Sequence, residues 1–108
     1  KNVRGYSKRK WIIFMYLIRY SHKFSKSYSK LVKGGLKESV QQEVNSTIKM
    51  LASGHKLDMG YRDHKLIGEL AGYRECHIQG DLLLIYKIEN KLLILLLADI
   101  GSHSDLFK

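Results

Sequence analysis

Apolar positions along this chain change their period twice, and the changes mark the elements. Met15–Ser21, "MYLIRYS", reads as a first strand, which "WIIF" at residues 11–14 could lengthen backwards. Phe24, Tyr28, Leu31 and Val32 then recur at helical spacing, and Gly34-Gly35 supplies a stop. A second helix carries Leu36, Val40, Val44, Ile48 and Leu51 on one face and ends near Gly54. Residues 55–72 hold three glycines and no sustained period, which predicts loop. From Tyr73 the pattern turns strand-like in three runs, "YRECHIQ", "LLLIYKI" and "KLLILLLADI", separated by Gly80-Asp81 and Glu89-Asn90. Connections this short favour antiparallel hairpins. The predicted order is therefore β-α-α-β-β-β: an α+β domain with two N-terminal helices on one face of a twisted antiparallel sheet, then a short C-terminal tail. Within it "LLILLL" (Leu92–Leu97) is expected to be central-strand core.

A length of 108 residues allows one domain with one modest core. With 44% hydrophobic and 27% charged residues, it is a folded chain and not a disordered tail. No stretch reaches the roughly 18 apolar residues of a membrane span, so no membrane partner is expected. The lone Cys76 excludes an internal disulfide and suits a reducing, cytoplasmic setting. Charge is the more informative quantity. Residues 1–37 hold eleven Lys or Arg and no acid, whereas the remainder holds eight basic against ten acidic residues. A solvated basic face would account for this, and so would a polyanion partner. The stretch 1–14, "KNVRGYSKRKWIIF", differs in character from the rest of the chain and ends just before Met15. It is expected to be a non-native or upstream extension, with the domain proper spanning 15–108.

Candidate chemistry lies in the second half. In "YRECHIQGD", alternation puts Tyr73, Glu75 and His77 on one side of the strand and Arg74, Cys76 and Ile78 on the other. The helices can cover only one side, so Glu75 and His77 are expected on an open, concave floor. Asp81 comes next, in the turn; His64 lies in the loop before the first meander strand, and His103 stands after the last strand in "GSHSDLF". A meander can bring that terminus back over the floor. Singly, each residue has an ordinary reading: Asp81 as turn, Phe107 as core plug, Arg74 as ion-pair partner, Cys76 as buried and inert. Convergence of three histidines with a carboxylate is what points to a site. No zinc-ligand spacing and no phosphate-cradling or dinucleotide glycine loop is present, so neither metal nor cofactor is expected. Imidazoles titrate near neutrality and can serve as both base and acid.

The segments "YRDHKL", "GYRECHIQGDLLLIYK" and "GSHSDLF" together resemble the YafQ branch of the RelE-like toxins, the ribosome-dependent mRNA interferases of bacterial type II toxin–antitoxin modules. The resemblance covers roughly Met15 to Phe107. It departs at Lys65, where proline is frequent, at Leu70, where tryptophan is, and at Gly80-Asp81-Leu82, more commonly Pro-Asp-Trp. What it implies is endonucleolytic cleavage of translated mRNA, without metal, using the RNA 2′-OH. The implied active-site positions are His64, His77, Asp81, His103 and Phe107, with Glu75 and Arg74 in support. Lys23, Lys26, Lys30, Lys33 and Lys65 are the expected phosphate contacts. The implied partners are a cognate antitoxin, mRNA in the ribosomal A site and, through the antitoxin alone, operator DNA. Two alternatives stay open from the residues: an antitoxin-binding corepressor without nuclease activity, and a basic RNase that needs no ribosome.

Overall fold

A computed structural model describes residues 14–107. Strand β1 (Leu17–Tyr20) leads into helix α1 (His22–Lys33) and helix α2 (Glu38–Ala52). A two-residue strand β2 (His64–Lys65), the hairpin β3 (Arg74–Gln79) and β4 (Leu82–Glu89), the long β5 (Ile94–Ser102) and a terminal turn of helix, α3 (His103–Leu106), complete it. The α+β class and the order of the main elements are those the periodicity predicts. The expectation for the N-terminal extension lies, Phe14 apart, outside the described residues. Among the described residues no helix is long and apolar enough to cross a membrane.

Local chemistry explains the helices. Ser21, in extended conformation, caps α1 by accepting from the Phe24 amide at 2.9 Å. Lys30 and Lys33 sit in its last turn, where the helix dipole favours cations. In α2, Val44, Thr47, Ile48, Leu51 and Ala52 are buried, one stripe at the i, i+3, i+4, i+7, i+8 spacing. The buried Thr47 hydroxyl is satisfied by donating to the Glu43 carbonyl one turn back, at 2.8 Å. These stripes, together with Phe24, close over Cys76, Ile78, Leu84, Tyr86, Leu95, Leu97 and Ile100 from one face of the sheet, and that contact is the core.

The sheet order is β1-β5-β4-β3-β2. The three-strand meander is antiparallel, its first hairpin turning through Gly80 at φ +54. Two features extend the expected sheet. Strand β1 joins β5 in parallel, Leu17 opposite Ile94 through Tyr20 opposite Leu97, so the sheet is mixed. Within the expected loop, residues 64–65 form β2 against β3, flanked by 3-10 turns at Met59–Tyr61 and Gly68–Leu70. One reading of the sequence is corrected. The final strand starts at Ile94, and Leu92 and Leu93 stand 69% and 51% exposed in the preceding turn, so "LLILLL" gives only Leu95 and Leu97 to the core.

Candidate active site

Register across the sheet decides which side chains meet, because directly opposed residues share a face. His64 opposes Glu75, which opposes Ile85, which opposes Asp99. One pair further along, His77 opposes Leu83 and Leu83 opposes Gly101. His64, Glu75 and His77 therefore lie on the side away from the helices, Glu75 and His77 as alternation predicts, with Cys76 and Ile78 in the core behind them. The terminal helix returns over this side: the space a Gly101 side chain would fill is bounded by Asp105 Cβ and Leu106 at 3.5 Å.

Two histidines converge on one carboxylate oxygen. Glu75 Oε2 lies 3.5 Å from His77 Nε2 and 3.7 Å from His64 Nε2. The pattern placed Glu75 on an open floor, and here the structure differs. Glu75 is only 5% exposed; β2 pairs beside it in the sheet and the two imidazoles approach its carboxylate. His64 is itself exposed, and its Nδ1 lies 2.7 Å from the Arg62 carbonyl oxygen, which only accepts. Nδ1 therefore carries the hydrogen of that bond, and Nε2 is the nitrogen turned to Glu75.

The second group comes from the hairpin turn and the chain's last helix. Asp81 Oδ1 accepts from the His103 backbone amide at 3.3 Å. Ser102 caps α3 by accepting from Asp105 N at 3.2 Å. One turn of helix separates His103 from Phe107, whose ring lies 5.1 Å from the imidazole at a 40° tilt. Leu82 opposes Ser102, so the Asp81 turn and the start of α3 adjoin at the same end of the sheet that carries His77. His64, Glu75 and His77 thus form one cluster along β2 and β3, and Asp81, His103 and Phe107 form a second at the hairpin end of the same sheet. Among the described residues, no group of three or more His, Cys, Asp or Glu side chains is arranged to hold a metal ion.

The supporting residues separate. Arg74 and Lys65 oppose each other in the strand ladder and fall on the face opposite His64 and Glu75. The Arg74 guanidinium grips Asp63, Nη2 to Oδ2 at 2.9 Å, and this hydrogen bond holds it above its ordinary pKa. Tyr86 donates to the other Asp63 oxygen at 2.5 Å; burial first, and then this bond, raise its pKa. Asp63 and Tyr86 carried no signal in the sequence beyond their proximity to the candidate residues. Cys76, fully buried, has its thiol pushed up to about 12 by burial. Lys23, Lys26, Lys30 and Lys33 recur at i, i+3, i+7 and i+10, an exposed stripe within about 80° of arc on α1. Lys23 also reaches Asp99 at 3.7 Å.

Residues 16–108 match the family model described as the bacterial toxin of type II toxin–antitoxin systems, YafQ. The chain is 33% identical over 93 residues to the mRNA interferase toxin YafQ of Escherichia coli K12, covering 84% of this chain and 99% of that one. Among solved structures, a metal-bound toxin from Helicobacter pylori superposes with a TM-score of 0.76 at 40% identity, covering 86% of this chain and all of the other. The E. coli DinJ–YafQ complex does so with a TM-score of 0.75 at 30% identity, covering 86% of this chain and 99% of that one.

Proposed function

This chain belongs to the YafQ family of bacterial type II toxins, and on that premise we propose that it is an endoribonuclease that cuts translated mRNA on the ribosome. The RNA supplies its own nucleophile. The 2′-oxygen loses its proton to a base and bonds to phosphorus. The bond from phosphorus to the 5′-oxygen breaks, and that oxygen takes a proton from an acid, leaving a 2′,3′-cyclic phosphate and a 5′-hydroxyl. His103 is the general acid. His64, His77 and Asp81 form the base and orienting set, and Glu75 stabilises the positive ring formed when an imidazole takes up a proton at Nε2. Phe107, beside His103, stacks on a nucleobase to keep the strand in line. The lysine stripe of α1 contacts phosphates or the acidic segment of an antitoxin, the partner class seen with the E. coli relative.

The observation that carries this reading is the shared Glu75 oxygen, with His64 and His77 at 3.7 and 3.5 Å, on the sheet face to which the His103 helix returns. The test is His103→Ala, a change at an exposed position. Growth arrest on induction without antitoxin, and cleavage of translated mRNA by purified protein, are expected to vanish while the thermal melt stays where it was. A folded variant that cuts at the wild-type rate removes the assignment. Normal growth with the unaltered chain would select the antitoxin-binding alternative instead.

A further inference from the structure

His64 poses a mechanical problem. It stands on a strand of two residues, its ring is half exposed, and an exposed imidazole on so short a ladder has little of its own to hold it. The residue before it meets a different environment. Strand alternation sends Asp63 to the opposite face, toward Arg74 and Tyr86, which oppose each other across β3 and β4. There the Asp63 carboxylate accepts from three donors: the Tyr86 hydroxyl at 2.5 Å, and Arg74 Nη2 and Nε at 2.9 and 3.2 Å. Tyr86 is 2% exposed, and Asp63 is the acceptor its buried hydroxyl finds. On the other side of Asp63, Arg62 is held at φ +51, ψ +40, in the left-handed region that non-glycine residues avoid. That turn aims the Arg62 carbonyl at His64 Nδ1. Such a conformation persists only where its surroundings over-determine it.

We propose that Asp63, clamped by Arg74 and Tyr86, is a positioning residue for His64. From the helix side of the sheet it fixes the strained turn that sets the imidazole's tautomer and presents Nε2 to Glu75. The clamp touches no substrate and works through the backbone of residues 62–64. Its catalytic consequence rests on the role given to His64 above; its structural consequence does not.

The test uses the full chain with Tyr86→Phe and Asp63→Asn, each made alone and in a His64→Ala background. Tyr86→Phe removes one hydroxyl and keeps the ring that fills the core. Ring nitrogen chemical shifts of His64 are expected to move from the Nδ1–H form toward a mixture of tautomers. The kcat for cleavage of ribosome-bound mRNA falls on the order of tenfold with KM nearly unchanged, because a misplaced group costs rate more than binding. In the His64→Ala background the same substitutions produce no further fall. Unchanged nitrogen shifts in folded Tyr86→Phe and Asp63→Asn would overturn the clamp, and so would an equal loss of kcat with and without His64. If His64→Ala alone cuts at the full rate, the role of His64 fails while the nitrogen shifts still decide the clamp. Should Tyr86→Phe not fold, Arg74→Lys, at a partly exposed position, takes its place and is judged by the same shifts.

Discussion

Ser102→Ala tests whether a single turn of helix is held as the structure implies. Four residues are far too few to be helical alone, since nucleation fixes several backbone angles for one hydrogen bond. Three contacts therefore hold α3: the Ser102 cap at 3.2 Å, the hydrogen bond from the His103 backbone amide to Asp81 Oδ1 at 3.3 Å, and Leu106 packed on Gly101. Loss of a serine cap costs about 1 kcal/mol, which raises the population of the opened terminus about fivefold. Hydrogen exchange at the Phe107 amide, which donates to the His103 carbonyl at 3.0 Å, reads that population directly. Exchange about fivefold faster is expected, with Ser102→Asp restoring protection because an aspartate caps equally well. Asp81→Ala removes the second anchor and adds to the effect. Asp81→Asn keeps an amide oxygen able to accept from His103 N, so it is expected to leave protection intact; a fall in cleavage with protection intact would support the proton-transfer role proposed for Asp81. Unchanged Phe107 exchange in a folded Ser102→Ala protein would refute the account of how the His103 helix is fixed.

Two further outcomes rest on burial and on the donor set. Burial raises the Cys76 thiol from its ordinary 9.0 to about 12, so between those values the unfolded chain releases a proton that the native state keeps. Stability is then full below about pH 9 and declines as pH rises toward 12; urea midpoints across that range are expected to fall faster in the wild type than in Cys76→Ala. Cleavage without a metal requires activity to survive removal of zinc, copper and manganese while ribosomal magnesium is kept. Loss of activity that Zn²⁺ or Mn²⁺ alone restores would make the chemistry metal-assisted.

The faces of the elements were legible in the sequence, and their neighbours only in part. Period-two alternation through "YRECHIQ" correctly separates Glu75 and His77 from Cys76 and Ile78, because alternation is a property of one strand. It is silent on β1, whose partner β5 is remote in sequence and parallel. Residues 64–65 gave no strand signal because two residues have no period; Glu75 and Arg74 opposite define them as strand. Glu75, which alternation alone left on an open surface, lies beside that pairing and is buried. Leu92 and Leu93 misled through composition. Their side chains read as core, but Leu93 sits at φ +54 in a turn and contributes its backbone, the carbonyl accepting from Leu17 N at 2.7 Å. The histidine cluster was recognisable because three motifs occur together, whereas the Asp63–Arg74–Tyr86 contact has no sequence pattern of its own.

Parallel pairing of β1 with β5 gives the molecule a seam. Along it the Ser21 hydroxyl donates to the Ala98 carbonyl 77 positions later, at 2.7 Å, and the helix bearing the lysine stripe begins at that joint. The meander can zip through local hairpins, but closing this seam needs a long loop to find its end, the slow kind of contact in folding. Four residue pairs along it tie the N-terminal strand to the last strand of the meander. A lesion in that ladder would loosen the start of the basic helix, while Phe24 in the core and Ser27 on Asp99 still tie that helix to the sheet.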